Sequence, residues 1–185
     1  MNKNEIKSNK TKRKICDTYI ELYKNKDINQ ITIKEITDKA GYNRSTFYIY
    51  YKDIYDLHEQ IKNGIINKAK NGTQKLNNKD FSFKELFKVI MNFYNKNEKY
   101  ITTLVTKDNT LAENIKKEIK PVMKRLLKKE LNNPTDDYLI EYHITAVLSL
   151  INFWINNNKN IKIDELFNLI YKVSTKGVFT IIKEK

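Results

Sequence analysis

Residues 32–52 read Thr32-Ile-Lys-Glu-Ile-Thr-Asp-Lys-Ala-Gly-Tyr-Asn-Arg-Ser-Thr-Phe-Tyr-Ile-Tyr-Tyr-Lys52, and they contain the start and stop signals of two short helices. Thr32 and Glu35 form a capping-box pattern, in which the Thr32 hydroxyl accepts from the Glu35 amide and the Glu35 side chain reaches back. Gly41 stands where a left-handed C-cap is needed, and Asn43 is a favourable N-cap. The pattern predicts helices over residues 33–39 and 44–50, joined by a turn of about three residues.

The two predicted helices have an apolar side and a polar side. The apolar side can pack the pair against a preceding helix through Ile33, Ile36, Ala40 and Phe47. The second helix is dense in side chains that can hydrogen-bond to DNA, namely Asn43, Arg44, Ser45, Thr46 and Tyr48. In a helix-turn-helix the second helix enters the major groove, where its N-terminal residues reach base edges and phosphates. The segment is typical of such a motif.

Further helices are predicted on both sides of this segment. An apolar face at helical spacing predicts a preceding helix over residues 10–24, formed by Ile15, Tyr19, Leu22 and Tyr23. Residues 1–14 hold six basic side chains against the single acid Glu5. This run is typical of a basic arm that meets a DNA backbone, and equally of a solvated tail. A fourth helix is predicted over residues 53–70.

The rest of the chain has helical periodicity and no internal repeat. Apolar stripes predict several helices, of which the last two cover residues 136–157 and 162–183. Only four glycines and two prolines occur, too few for the turns of a β-sandwich. We therefore expect an all-α fold, with an N-terminal three-helix helix-turn-helix module joined by a connecting helix to a C-terminal helical bundle.

Composition limits the class of partner and the compartment. The net charge of +13 favours nucleic acid, although Lys, Asn and Ile have A/T-rich codons and genome bias is an alternative cause. The lone Cys16 excludes an internal disulfide and a multi-cysteine metal site. Short apolar runs and a charged start predict no membrane span and no signal peptide. We expect a cytoplasmic, nucleoid-associated protein with no membrane partner.

The sequence gives little support to catalysis. His58 and His143 are the only histidines, and neither has a metal-ligand spacing. The chain also lacks a nucleophile elbow and a phosphate-binding loop. We expect no enzyme activity, no catalytic residues, no metal site and no cofactor.

Residues 40–53 resemble the TetR/AcrR family of regulators, and the resemblance covers about residues 10–60. The family pattern of Ala-Gly, polar residues, Thr, an aromatic, Tyr-x-Tyr-Phe, Lys and an acidic helix start reads here as Ala40-Gly41-Tyr42-Asn43-Arg44-Ser45-Thr46-Phe47-Tyr48-Ile49-Tyr50-Tyr51-Lys52-Asp53. Two positions depart from it. Tyr51 replaces Phe and adds a hydroxyl that needs solvent or a partner. Ile49 replaces a polar or basic residue, so we exclude it from the expected site.

The resemblance implies a DNA-binding role for eight residues. Thr32 would contact phosphate, aided by the amides at the start of its helix. Arg44 would read a base, because a guanidinium can bond guanine O6 and N7 together. The other groove-facing side chains would be Tyr42, Asn43, Ser45 and Thr46, and the backbone contacts would be Tyr48 and Lys52. Taken singly, these residues could be caps, core or ordinary surface charges, and only their ordered combination supports DNA binding.

The resemblance also implies that the C-terminal part dimerises and senses a small molecule. The expected domains are residues 1–55 for DNA binding and residues 56–185 for dimerisation and ligand binding. The last two helices would form the dimer face, involving Trp154 or the stripe at residues 167–171. The ligand candidates are Phe87, Met91, Tyr94, Tyr142, His143 and Trp154. Plain core packing is the alternative for each of these side chains.

The expected function is a homodimeric, sequence-specific transcriptional regulator that binds a palindromic operator in double-stranded DNA. The resemblance favours a repressor that a small-molecule effector releases from the operator. The alternative is a co-activator or architectural DNA-binding factor of the same fold without an effector.

Overall fold

The computed structural model describes residues 3–74, 76, 81–127 and 135–177. The described residues form α-helices and one 3-10 turn at Ile28–Gln30, with no strand among them. The helices are α1 (Lys3–Tyr23), α2 (Ile33–Ala40), α3 (Arg44–Tyr48), α4 (Ile54–Gln74), α5 (Phe83–Lys107), α6 (Asn109–Leu127), α7 (Asp136–Asn156) and α8 (Ile163–Lys176). The predicted all-α fold is confirmed. Residues 178–183 of the last predicted helix lie outside the described residues.

The chain divides into two compact units, Met1–Ile65 (unit 1) and Ile66–Lys185 (unit 2). Unit 1 contains α1 to α3 and the first half of α4, and unit 2 contains the second half of α4 and the helices that follow. This division shows which residues pack together, and it does not show what either unit binds. The assignment of residues 1–55 to DNA binding and of 56–185 to dimerisation and ligand binding therefore stays a prediction.

The core of unit 1 forms where the apolar sides of its helices meet. Ile36, Ala40 and Phe47 are fully buried, as the sequence predicts, and α2 packs against both α1 and α3. The Tyr19 hydroxyl lies 2.8 Å from His58 Nδ1, which gives both polar groups a partner inside this core. Burial of an aromatic ring contributes on the order of 2 kcal/mol, so Phe47 is a main anchor of α3.

The start of α2 is capped differently from the predicted capping box. The Thr32 hydroxyl accepts a 3.1 Å bond from the Glu35 amide, as expected. The Glu35 carboxylate accepts instead from Lys26 Nζ at 2.7 Å and does not return to the Thr32 amide. An ammonium is a stronger partner than a neutral amide, so half of the capping box is replaced by an ion pair.

Helix α1 begins at Lys3, seven residues before the predicted start. The basic residues of the first 14 positions therefore lie on the first turns of a helix, and not on a separate arm or tail. The Thr11 hydroxyl donates to the Lys7 carbonyl at 3.1 Å within these turns. This stretch contains no Gly or Pro to end the helix, while Lys and Glu are favourable helix residues.

The core of unit 2 contains buried residues from α5, α6 and α7, namely Leu86, Val122, Met123, Ile140 and Ile144. Helix α5 contains a kink at Asn97, whose φ of −127° and ψ of 16° are not helical. Helix α6 continues through Pro121. Proline alone therefore does not locate the irregular turn in this unit.

Helix α7 is long and apolar enough to cross a membrane by length and composition, and it is the one helix of the described residues that meets both criteria. Helix α7 meets the two criteria even though its uninterrupted apolar runs are short. Polar but uncharged residues such as Thr145 and Asn152 break its apolar runs without lowering the mean hydropathy enough. These two criteria are weak evidence for a membrane span, because core helices of soluble proteins meet them too.

Two glycines of unit 1 provide a matched test of these backbone assignments. Gly41 has a φ of +72°, whereas Gly64 lies inside α4 with open space around its missing Cβ. We expect Gly41→Ala to lower the free energy of unfolding by about 1–2 kcal/mol, because L-residues are strained in the left-handed region. Gly64→Ala should raise it by about 0.5–1 kcal/mol through helix propensity. Urea unfolding of both variants measures the difference, and equal effects would contradict the assigned turn.

Candidate functional site

The polar side chains at the start of α3 form one hydrogen-bonded cluster around Asn43. Its Oδ1 atom accepts from the Thr46 amide at 3.0 Å and from the hydroxyls of Ser45 and Thr46, both at 2.7 Å. The first bond is the N-cap that the sequence predicts. Asn43 and Ser45 are exposed and Thr46 is half-buried, so the cluster fixes its side chains before any partner arrives.

The remaining candidates of the helix-turn-helix segment lie on the turn, on α3 and next to the starts of α2 and α4. Arg44 is exposed, and Tyr48 is 58% exposed, in contrast to its neighbour Phe47 at 0%. Thr32 caps α2, and Lys52 precedes α4 with its side chain exposed. Tyr42 is half-buried in the turn. All eight predicted residues therefore lie in unit 1, and the cluster at the start of α3 joins three of them.

Lys52 is held through its backbone. Its amide donates a 2.8 Å bond to the Asp56 carboxylate, and the Asp56 amide donates to Asp53 Oδ1 at 2.8 Å. The bond from the Lys52 amide is the main reason why the pKa of Asp56 lies below its usual value, followed by the bond from Gln60. The carboxylate therefore stays charged at neutral pH, and the chain before α4 keeps a fixed path.

Sequence reasoning missed some features of this segment. Lys12 Nζ lies 5.3 Å from the centre of the Tyr50 ring, and Lys14 Nζ lies 5.8 Å from that of Tyr42. Both lysines belong to the basic run of the first 14 residues and to the helix predicted over residues 10–24, but helical spacing alone does not show which side chains of the motif they reach. Ile49, which departs from the family pattern and is not one of the expected site residues, is 72% exposed beside Tyr48. The Tyr51 hydroxyl lies 3.3 Å from Cys16 Sγ, so the added oxygen has a partner.

Unit 2 contains a partly open cavity of about 350 Å³ with a mainly apolar wall. Four of the six predicted ligand residues line it: Phe87, Tyr94, His143 and Trp154. Met91 and Tyr142 do not, because Tyr142 is 72% exposed on the outer face of α7 and Met91 lies away from the cavity on α5. Most of the wall is aliphatic. The aliphatic residues of the wall could not be predicted from the sequence, because residues that line a cavity follow the same helical spacing as residues of the core.

Three polar groups of this wall have partners within the chain. His143 Nε2 lies 3.4 Å from Ser174 Oγ, and burial lowers the pKa of His143, so its imidazole is neutral at pH 7. Trp154 Nε1 donates to the Ile161 carbonyl at 2.8 Å. Lys116 on α6 is bonded to the carboxylate of Glu141 on α7. The cavity therefore suits an apolar guest with few hydrogen-bonding groups.

Comparison with known proteins identifies the family. A TetR-type family model described as "Transcriptional regulator C-terminal region" matches residues 81–176, about half of the chain. The chain belongs to the TetR family of transcriptional regulators. Regulators of this family bind DNA and small molecules, form dimers and are not enzymes. The match to residues 81–176 therefore confirms the family that the resemblance of residues 40–53 indicates.

A curated sequence relative matches part of this TetR-family chain. An uncharacterized HTH-type transcriptional regulator, YxbF of Bacillus subtilis strain 168, is 38% identical over 55 residues, which cover 28% of this chain and 14% of the relative. The match thus spans about a seventh of the length of that curated relative.

Two solved structures resemble nearly the whole chain. A proposed fatty acid metabolism regulator of Clostridium perfringens has a TM-score of 0.73 at 15% identity, with 89% of this chain and 98% of that chain covered. The TetR-like regulator LfrR of Mycobacterium smegmatis, in complex with proflavine, has a TM-score of 0.56 at 16% identity, with 92% and 97% covered. At these identities the two structures support the shared fold alone.

Proposed function

We propose that this TetR-family chain is a homodimeric repressor that binds a palindromic operator through α3 and leaves it when a small molecule occupies the cavity of unit 2. The observation that supports DNA binding most strongly is α3 itself. Its buried Phe47 fixes one side, while Arg44 and the Asn43 cluster remain exposed on the other. The same elements without an effector would make a co-activator or an architectural factor, which is the second candidate.

Base reading is assigned to Arg44 and backbone contact to Thr32, Tyr48 and Lys52. Arg44 is exposed at the first residue of α3, where recognition helices approach base edges. A guanidinium can donate two parallel hydrogen bonds to a guanine. Thr32 and Lys52 lie at helix starts, whose amides favour phosphate. Lys12 and Lys14 lie on α1 beside the rings of Tyr50 and Tyr42, and they add positive charge that favours contact with the DNA backbone.

Dimerisation is assigned to the outer face of α7. Four large apolar side chains of this helix are more than half exposed, namely Tyr138, Leu139, Tyr142 and Phe153. Such a concentration of exposed apolar surface on one helix is typical of a protein interface. Of the expected anchors, Trp154 and Phe167 are 5% and 7% exposed and belong to the interior of the chain, whereas Tyr171 at the end of the expected stripe on α8 is 38% exposed. Pairing of α7 with its copy would also explain why this helix is so apolar.

Effector response is assigned to α4. This helix runs from Ile54 to Gln74, and its residues Ala69 and Thr73 line the cavity. A ligand that favours one position of α4 would change the spacing of the two α3 helices in the dimer. Typical coupling of about 1–3 kcal/mol would change operator affinity by roughly 5- to 150-fold.

The DNA-binding proposal is tested with an operator selected from random duplexes by the wild-type protein. Arg44→Ala should weaken binding to that operator by about 1–3 kcal/mol and relax the preference at one base of each half-site. Lys52→Ala should weaken all duplexes alike and flatten the salt dependence. Lys96→Ala, a change of an exposed lysine in unit 2, is the control and should have no effect. Equal operator binding by wild type and Arg44→Ala would remove Arg44 from the readout.

The dimer proposal is tested by placing charge on the outer face of α7. The double variant Tyr142→Glu/Phe153→Glu should raise the dimer dissociation constant by about 100-fold or more, because both rings would be buried at the interface. Ile6→Glu changes an exposed apolar residue of α1 and serves as the control. Light scattering should give twice the chain mass of 22.1 kDa for wild type and control. A monomeric wild type at micromolar concentration, or a dimeric double variant, would contradict this face.

A further inference from the structure

We infer that the cavity of unit 2 selects uncharged apolar ligands, and that Glu141 sets this selectivity by holding the ammonium group of Lys116. The inference rests on the proposed effector function and specifies its ligand class. It follows from the balance of charge in the cavity wall.

Among the described residues that line the cavity, the charged side chains are Glu113 and Lys116, which have opposite signs. Their Oε1 and Nζ atoms are 3.8 Å apart. The remaining titratable side chains of interest are His143, which is neutral, and Tyr94, whose hydroxyl lies 3.4 Å from Thr102 Oγ1. The wall therefore presents no net charge to a ligand.

Lys116 is also engaged from outside the wall. Its Nζ atom bonds the Glu141 carboxylate, which accepts a second contact from Lys120 Nζ at 3.4 Å. The Lys116 side chain is only 14% exposed, whereas Glu141 faces solvent at 44%. The bond between them raises the pKa of Lys116 and lowers the pKa of Glu141, so both groups stay ionised. Glu141 thus neutralises the one cation that lines the cavity in the described part of the chain.

This pairing discriminates between ligand head groups. A carboxylate or phosphate ligand would have to displace Glu141 from Lys116, which exchanges one ion pair for another while the ligand loses its own hydration. A cationic ligand would find Glu113 already beside Lys116. A neutral ligand meets neither cost.

The neutral imidazole of His143 provides a hydrogen-bonding group for a hydroxyl or carbonyl. It lies in the wall with its Nε2 atom close to Ser174 Oγ. A volume of about 350 Å³ is near the lower limit for ligand cavities, which run from about 300 to 1,000 Å³. The ligand class is therefore a small apolar molecule with one neutral polar group.

The test uses two series of probes, and within each series only the head group changes. The aliphatic series is 1-decanol, decanoate and decylammonium. The aromatic series is naphthylmethanol, naphthoate and naphthylmethylammonium. Binding to the full-length protein is measured by calorimetry below the micelle concentration. In at least one series the alcohol should bind, and both ions should bind about fivefold more weakly or worse. Equal binding of alcohol and carboxylate, or no binding of any probe, would overturn the inference.

Charge variants assign the selectivity to Glu141. Glu141→Gln, and more strongly Glu113→Gln/Glu141→Gln, should free Lys116 and raise carboxylate affinity by about fivefold, the modest gain expected for a partly exposed pair. Glu141→Asp should restore the wild-type preference. Asp137→Asn is the control, because it breaks the 2.6 Å pair with Lys124 on the same two helices, outside the cavity wall. An unchanged ratio of carboxylate to alcohol affinity in the Gln variants would overturn the role of Glu141.

Operator binding separates this inference from the proposed function. If the alcohol binds selectively but leaves operator affinity unchanged, the effector role fails and the selectivity of the cavity stands. If all head groups bind equally and each weakens operator binding, the effector role stands and the charge selectivity fails.

Discussion

The left-handed turn at Gly41 is the constraint on which the helix-turn-helix depends. Its φ of +72° ends α2 and reverses the local chain direction, so that α3 begins only three residues later at Arg44. The change of direction places Phe47 in the core of unit 1, and the exposed side of α3 then carries Arg44. The side chain of Asn43 completes the turn by capping α3. One backbone conformation thus couples the packing of the motif to the surface that we assign to DNA.

Unit 2 uses its apolar residues for three purposes, and α7 serves all of them. Ile140 is buried in the core, Ile144 is buried and also lines the cavity, and Phe153 is exposed on the outer face. A helix that contacts a core, a cavity and a proposed partner needs apolar residues around most of its circumference. This explains why α7 is the most apolar of the described helices without requiring a membrane. The Lys116–Glu141 bond adds a polar clamp between α6 and α7 beside the cavity.

The sequence predicts the fold of unit 1 well because its signals are local. A cap at Thr32, a C-cap at Gly41 and a cap at Asn43 act within three or four residues, and the structure contains all three. Features that depend on distant residues were not predictable. The Glu35 carboxylate, for example, accepts a hydrogen bond from Lys26 and not from the Thr32 amide. Tyr142 is exposed outside the cavity, whereas Tyr94 lines it. Periodicity shows that a residue is on an apolar face, but a core, a cavity wall and a subunit interface all require the same spacing.

A regulator with defined operators binds a limited set of sites in the chromosome, and genome-wide mapping of the binding sites of this chain in the cell that encodes it measures that set. We expect a small number of strong sites that share one two-fold symmetric sequence, because two α3 helices of a dimer read two half-sites. Each strong site should lie at a promoter. Diffuse binding along the chromosome without a shared sequence would contradict the account and would favour an architectural protein built on the same fold.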